Sequence, residues 1–357
     1  MNKDFWKNKK VLITGHTGFK GSWLSLWLWS AGAEVYGYAL EPSTIPSLFN
    51  LLKLSEKINH HEGDVRDLAV FKQYMSSVEP DVVIHMAAQA LVQASYIDPV
   101  ETFSTNVMGT VHLFEAVRVT PSVKVIINVT TDKCYENKEW PWGYRENDTL
   151  GGYDPYSNSK ACSELITAAY RSSYFNPNMF NEHGKAMATA RAGNVIGGGD
   201  WTKGRLIPDI INGFVHEEVI NIRNPSAIRP WQHVLEPLSG YLLLAEKLWE
   251  KPEIYTGAWN FGPYDSDAVT VREVVKYLAE QWHGAQWKID DKVSLHETKC
   301  LQLDISKATT VLGWKPRWAL TRTLDSIVAW QQAFISQDED ILDVTLSQLK
   351  DYEIRMK

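Results

Sequence analysis

Lys10-Val11-Leu12-Ile13-Thr14-Gly15-His16-Thr17-Gly18-Phe19-Lys20-Gly21 runs directly into Ser22-Trp23-Leu24-Ser25-Leu26-Trp27-Leu28. A short apolar run ends in a glycine-spaced turn and resumes as a second apolar run, which reads as buried strand, tight turn and buried helix. Glycines at 15, 18 and 21 let the turn close, let backbone N–H groups approach a pyrophosphate and let the helix pack on the strand. The helix N-terminus then directs its partial positive charge at the phosphates. Ordinary glycine-rich turns of α/β proteins share this spacing, so the decision rests with the rest of the chain.

Working outward, residues 34–40 read as a second strand stopped by Pro42 and Pro46, and a short third strand precedes Gly63-Asp64-Val65. A fourth strand, 81–88, is entered through Pro80; a helix follows around 100–118, then a strand at 123–129, a helix from about 155 to 174 and a sixth strand at 187–191. Near-continuous apolar strands alternating with helices predict an α/β fold. Its parallel sheet is covered on both faces and doubly wound in the Rossmann manner, with a ligand crevice at the strand C-terminal ends. After Arg191 the alternation breaks down, with Gly197-Gly198-Gly199 and prolines at 208, 225, 230, 237, 252 and 263. The division expected is a dinucleotide-binding domain over 1–195, with a return segment at about 231–260, and a smaller, mainly substrate-binding lobe over 196–357. The tail from Asp338, acidic and then Ser/Leu/Lys-rich, reads as a surface helix.

The chain has 357 residues, 44% apolar and 22% charged, which describes a soluble globular protein with a sizeable core. Its net charge of -7 supplies no basic field for nucleic acid or an anionic membrane. The apolar run Val11-Leu12-Ile13 is too short for a signal peptide. Ser25 and Ser30 interrupt the next run, below the roughly 18 apolar residues that span a bilayer. A cytoplasmic protein is therefore expected. Cys134, Cys162 and Cys300 are far apart and lack zinc spacing, so neither a disulfide framework nor a structural metal is expected. The 15 tryptophans read as core and interface packing, with the lining of a pocket as the alternative for some of them.

No Arg or Lys occurs between Gly21 and Lys53, where a 2′-phosphate would want a cation, so NAD is favoured over NADP. Ala39 stands about where a ribose-binding acid is expected; Glu41, two residues on, either reaches the ribose or is a solvated turn residue. Asp64 either accepts a hydrogen bond from an adenine amino group or caps a helix. In Tyr156-Ser157-Asn158-Ser159-Lys160 the phenol and the ammonium share one helix face. Such a lysine favours phenolate and is expected to lower the tyrosine pKa, making Tyr156 a base for a hydroxyl, while Lys160 also suits a nicotinamide ribose. Thr130-Thr131-Asp132-Lys133-Cys134-Tyr135 follows the fifth strand directly, at the edge where ligands bind. Thr131 can bond a substrate hydroxyl there, and Asp132 with Lys133 forms an acid/base pair.

Those motifs, with His85-Met86-Ala87-Ala88-Gln89, Asn106-Val107-Met108-Gly109-Thr110, Arg191-Ala192-Gly193-Asn194-Val195 and Ile228-Arg229-Pro230-Trp231-Gln232-His233-Val234, span nearly the whole chain. The chain resembles the extended short-chain dehydrogenase/reductases and, among them, the nucleotide-sugar 4,6-dehydratases. The His16-to-Trp23 form of the glycine turn, and a lysine after Asp132, resemble the branch of that family acting on CDP-glucose.

The resemblance implies bound NAD held by Gly15, Thr17, Gly18, Phe19, Lys20, Gly21, Asp64, Val65, Ala87, Ala88, Gln89, Asn106, Thr130, Tyr156 and Lys160. It implies three steps on a CDP-hexose. Tyr156, helped by Lys160 and Thr131, deprotonates the 4-hydroxyl during oxidation; water is then eliminated across carbons 5 and 6; carbon 6 is finally reduced. Asp132 matches the acid for the 6-hydroxyl. Lys133 replaces the glutamate that most relatives use as carbon-5 base, and a lysine can do that work only when neutral. Ser95, Asp132, Asn194, Arg205, Arg229 and His233 fall in matched substrate positions, and the guanidinium forks of the two arginines suit diphosphate oxygens. Helices 100–118 and 155–174 carry apolar faces wider than one sheet buries, and the resemblance implies a homodimer or homotetramer built on them. It also implies a place in deoxysugar biosynthesis, such as that of lipopolysaccharide O-antigen. Two rivals are weighed. A 4-epimerase shares Tyr156, Lys160 and the glycine turn but has no use for Asp132-Lys133. A non-catalytic NAD-sensing protein has no use for the Tyr/Lys pair.

Overall fold

The computed structural model describes residues 1–289 and 301–354. Strand β1 (Lys10–Thr14) leads into helix α1 (Phe19–Ser30), followed by β2 (Glu34–Ala39), β3 (Asn59–Glu62), α2 (Leu68–Val78) and β4 (Val82–His85). Next come α3 (Val92–Ile97), α4 (Pro99–Phe103), α5 (Gly109–Arg118), β5 (Val125–Val129), α6 (Pro155–Ser173), β6 (Ala186–Ala192) and β7 (Val195–Ile196). The later part supplies α7 (Leu206–Val215), β8 (Val219–Ile222), β9 (Ile228–Pro230), β10 (Gln232–His233), α8 (Leu235–Glu250), β11 (Gly257–Phe261), α9 (Leu320–Ser336) and α10 (Ile341–Ile354).

Seven strands form one parallel sheet in the order β11-β6-β5-β4-β1-β2-β3, the doubly wound arrangement expected. Strands β4, β5 and β6 are buried along their whole length, which explains why they read as apolar runs with no alternation. Helix α1 is buried from Gly21 to Leu28. Its two large indoles find acceptors, Trp23 Nε1 donating to the Gly198 carbonyl at 3.0 Å and Trp27 Nε1 to Glu353 at 2.9 Å. Helix α8 lays Leu238, Tyr241 and Leu242 on the sheet core and leads into β11, which pairs with β6. A separate apolar cluster, including Ile207, Ile210 and Phe214 of α7 and Leu324 and Ile327 of α9, forms the core of the later lobe.

Two elements differ from the sequence reading. The helix expected over 100–118 contains a π turn at Ser104–Met108 between α4 and α5. The widened turn accompanies Asn106 facing inward: its Oδ1 accepts from Gln89 N–H at 2.9 Å, and its Nδ2 donates to Gln89 O at 2.9 Å and Ser159 Oγ at 2.8 Å. The tail helix α10 is not confined to the surface, because Thr345, Leu349 and Tyr352 are buried. Tyr352 Oη donates to Glu236 Oε2 at 2.7 Å, while Glu236 Oε1 accepts the backbone N–H groups of Trp318 (2.7 Å) and Arg317 (3.1 Å). Burial pushes the Glu236 carboxyl up to about 7. The polar composition of the tail hid this one-sided anchoring.

Tyr96, Ile97, Val100, Phe103 and Met108, together with Leu165 of α6, leave large apolar side chains exposed. Among the described residues no helix is long and apolar enough to cross a membrane, and no His/Cys/Asp/Glu group is placed to hold a metal. Cys134 and Cys162 are free thiols; Cys300 lies outside the described residues.

Candidate active site

The glycine turn is packed by contacts that only glycine allows. Gly15 has φ +74°, and a Cβ there would sit 2.7 Å from the Ala87 backbone nitrogen. A Cβ on Gly21 would sit 2.2 Å from the Gly15 carbonyl oxygen, so helix and turn meet backbone to backbone. Gly18 has no such crowding; its nearest would-be contact is 3.5 Å away. Helix α1 begins at Phe19 with no side-chain cap, which leaves its first-turn N–H groups without a side-chain acceptor. An uncapped N-terminus under an uncrowded glycine fits a pyrophosphate. Thr17 Oγ1 donates to Leu40 O at 2.8 Å and ties the turn to the end of β2, where Ala39 is buried and Glu41 exposed. Phe19 packs its ring near Gly197.

Asp64 is gripped by its neighbour. Arg66 Nε donates to Oδ1 at 3.0 Å and Nη2 to Oδ2 at 2.5 Å, which holds the carboxyl below the usual carboxylate range. Arg66 also bonds Glu101 of α4. The helix cap at this point is Asp67, which accepts from Val70 N–H at 3.0 Å, so the capping alternative for Asp64 is corrected. Val65 is buried, with its side chain against Gly109. Ala87 follows β4 and donates its N–H to Thr14 Oγ1 at 3.2 Å, and Ala88 and Gln89 continue along the same edge. The side chains of Gln89 and Asn106 clamp this loop: Gln89 Nε2 donates to Leu91 O (3.1 Å) and Thr102 Oγ1 (2.8 Å), and Asn106 holds both backbone groups of Gln89. These bonds fix the path of the loop that follows β4. Thr130 Oγ1 donates to buried Glu164.

Helix α6 starts with Asp154 as cap, its carboxylate accepting from Ser157 N–H at 2.9 Å, and Pro155 in the first turn. Tyr156 and Lys160 follow one turn apart, both buried. Lys160 Nζ donates to Val129 O at 3.3 Å, at the end of β5. Burial lowers its pKa to about 8, opposed by the negative field of Glu164 and then Cys134. The Tyr156 phenol departs from expectation: burial raises it to about 12, Asp132 adds to that rise, and Thr131 and Arg205 pull against it. Loss of solvent outweighs the Thr131 hydrogen bond and the Arg205 charge.

Thr131 Oγ1 donates to Asp132 Oδ1 at 3.0 Å. Asp132 is buried, and burial raises its pKa against the lowering effects of Lys133, Thr131 and Arg229. That is the environment of a carboxylic acid able to give up a proton. Gly193, just past β6, packs against it, and a Cβ at 193 would lie 2.1 Å from Asp132 Oδ2. Lys133 is half-buried on the same short turn, its backbone N–H on Thr131 Oγ1 at 3.3 Å.

Cations converge on this acid. Lys20 Nζ donates to Tyr241 Oη of α8 at 3.1 Å; its burial, then the fields of Lys160 and Arg205, lower its pKa to about 7, with Asp132 opposing. Arg205 pairs with Asp200 at 3.0 Å, and the charge of Arg229, on β9, reaches Asp132. A pocket lined by this many basic side chains suits ligands with several negative charges. Asn194 sits at the sheet edge with φ +21°.

Two matched substrate positions are enclosed by the surrounding chain. Ser95 is fully buried, with its hydroxyl donating to Val92 O at 2.7 Å within its own helix. His233 is also fully buried, with its ring centre 5.8 Å from that of Trp23 and 4.7 Å from that of Trp318. Burial lowers its pKa to about 3, so it is a neutral core residue. Sequence reasoning missed Glu164 and Tyr241. The spacing of Glu164, four residues after Lys160 on the same face, was a usable signal; Tyr241 carried none.

The profile of the family described as GDP-mannose 4,6 dehydratase matches residues 12–327. A CDP-glucose 4,6-dehydratase of Salmonella typhimurium is 52% identical over 353 residues, covering 99% of this chain and 98% of that protein. Among solved structures, DesIV, a dTDP-glucose 4,6-dehydratase from Streptomyces venezuelae with NAD and TYD bound, superposes with a TM-score of 0.77 at 21% identity, over 93% of this chain and 99% of that one. A UDP-glucose 4-epimerase from Thermotoga maritima gives a TM-score of 0.77 at 22% identity, over 91% and 99%.

Proposed function

The chain belongs to the GDP-mannose 4,6-dehydratase family of nucleotide-sugar enzymes, and from that premise we propose that it is an NAD-dependent CDP-glucose 4,6-dehydratase, a lyase converting CDP-glucose to CDP-4-keto-6-deoxyglucose and water. The observation that carries this reading is Asp132: a buried carboxyl with a raised pKa, bonded to Thr131 and sharing its pocket with Tyr156. An epimerase needs the redox residues but no acid to expel a hydroxyl. The choice of cytidine as base rests on the 52% identical relative.

Tyr156 takes the proton of the sugar 4-hydroxyl, with Thr131 bonding the same region and Lys160 supplying positive charge behind it. Bound NAD, held over the glycine turn and the N-terminus of α1, would supply the hydride acceptor and donor that oxidise carbon 4 and later reduce carbon 6. A 4-ketone acidifies the carbon-5 proton, which Lys133 takes as a neutral amine or whose enolate it stabilises as a cation. Asp132 protonates the departing 6-hydroxyl, and water leaves. Arg205 and Arg229 of the later lobe, with Asn194 just past β6, would hold the diphosphate. Lys133→Ala is expected to slow elimination by about 10²- to 10⁴-fold while leaving oxidation of the sugar in place. Quenched reactions analysed by mass spectrometry check this, and elimination at the normal rate removes Lys133 from the mechanism.

The reading as a whole is tested with a panel of CDP-, dTDP-, GDP- and UDP-hexoses. CDP-glucose should lose one water; a product of unchanged mass but altered chromatography would instead identify a 4-epimerase. With this reading goes a division into a dinucleotide-binding part over 1–195, with a return segment at about 231–260, and a mainly substrate-binding lobe over 196–357. The exposed apolar side chains of α3, α4 and α6 are assigned to a homodimer, or a homotetramer containing it. A monomer in sedimentation at micromolar concentration ends that assignment. We place the enzyme in the cytoplasm, supplying deoxysugar for surface polysaccharide such as O-antigen.

A further inference from the structure

Tyr156, Lys160 and Glu164 recur every four residues along α6 and form one stripe facing the sheet. The first two have roles above; Glu164, 3% exposed, has none. Its carboxylate is fully engaged. Oε1 accepts from Thr130 Oγ1, and Oε2 accepts from Thr189 Oγ1 at 2.7 Å and from Arg191 Nη2 at 2.8 Å. Thr130 directly follows β5 and immediately precedes Thr131-Asp132-Lys133, whereas Thr189 and Arg191 belong to β6, which leads to Gly193 and Asn194. Arg191 carries the network further: Nη1 donates to Tyr135 Oη at 2.6 Å and to Glu146 O at 3.0 Å, and Tyr135 Oη donates to Asn260 Oδ1 of β11 at 2.8 Å.

We propose that Glu164 is a positioning residue that registers the two halves of the site, fixing the elimination residues at the end of β5 against the helix that carries the redox pair. This inference rests on the dehydratase reading. A buried ion pair adds little net stability compared with an apolar filling of the same volume, so its geometry points to register as its contribution. Thr130 is the residue next to Thr131, so releasing it from Glu164 lets Thr131 and Asp132 drift relative to Tyr156. A shift of about 1 Å at a reacting group is worth on the order of 10² in rate.

Glu164 acts on Lys160 as well. The groups bearing on that ammonium are Glu164 and Cys134, which favour its charge, and Lys20 and His85, which share its field; Arg191 and Arg171 face Glu164 from the other side. The rate should rise with pH as Tyr156 yields phenolate, then level off where Lys160 loses its proton, at about 8 in the intact site. Without the carboxylate charge Lys160 gives up its proton at lower pH, so the break moves down.

The test compares Glu164→Gln, Glu164→Asp and Thr130→Val with the parent protein on CDP-glucose. Folding is followed by circular dichroism, and kcat and kcat/KM are measured across pH. Glu164→Asp keeps the charge but is too short for all three donors, and Thr130→Val removes a single contact while leaving the Arg191 pair intact. Both should lower kcat by about 10- to 100-fold with KM little changed and the break in place. Glu164→Gln should in addition move the break to lower pH. If Glu164→Gln fails to fold, Thr130→Val decides. Folded variants with parental kcat and pH profile overturn the inference alone. A parent protein that turns over no nucleotide hexose overturns the dehydratase reading and this inference with it.

Discussion

Tyr156→Phe is expected to fold and bind ligand normally but to lower kcat for CDP-glucose by about 10²- to 10⁴-fold, the usual worth of a positioned acid/base group. The ring is buried on a helix capped independently by Asp154, so phenylalanine fills the same space and the helix start is untouched. What disappears is the phenol hydroxyl that Thr131 addresses. The loss should fall on the first chemical step. Neither the 4-keto sugar nor its dehydrated successor should accumulate, in contrast to Lys133→Ala, where oxidation proceeds. The parental kcat/KM should also rise with pH over the neutral range, because burial raises the phenol to about 12. Phenylalanine removes that dependence along with the activity. A variant turning over within an order of magnitude of the parent would show that another group takes the 4-hydroxyl proton.

The parts of this site that the sequence announced are those built from neighbours in the chain. The glycine turn, the Tyr156/Lys160 stripe and the Thr131-Asp132-Lys133 turn each depend on residues within six positions of one another, so spacing alone reports their geometry. The sheet was legible because strands buried on both faces must be apolar throughout. What stayed hidden depends on long-range partners. Asn106 faces inward in a π turn alongside its bonds to Gln89 and Ser159, and no periodicity in 100–118 marks that turn. The enclosure of His233 between Trp23 and Trp318 is set by residues far from it in the chain. The expected fall in the Tyr156 pKa failed for a related reason. Helical spacing places Lys160 beside the phenol, but the depth of burial, which dominates the outcome, is set by the whole fold.

Gly193→Ala is expected to leave a folded enzyme that oxidises the sugar but eliminates water about 100-fold more slowly, through displacement of Asp132 by about 1 Å. An alanine Cβ would lie 2.1 Å from Asp132 Oδ2 and 2.6 Å from its Cγ, while the backbone itself is not in a conformation reserved for glycine. The clash is therefore with the carboxyl group, which can yield only by rotating away from Thr131, whose hydroxyl now fixes Oδ1 at 3.0 Å. Overpacking of this kind typically costs about 1–3 kcal/mol of stability, within what a protein of this size tolerates. The telling result is which species is found when the reaction is stopped: a 4-keto hexose that keeps its 6-hydroxyl, as in Asp132→Asn. Gly240→Ala is the control, because its Cβ would come 2.3 Å from the Phe261 ring, in the core rather than against the acid. That variant should lose stability without separating oxidation from elimination. If Gly193→Ala dehydrates CDP-glucose at the parental rate, the proton for the 6-hydroxyl does not come from a carboxyl held in this position, and Asp132 loses its place as the acid.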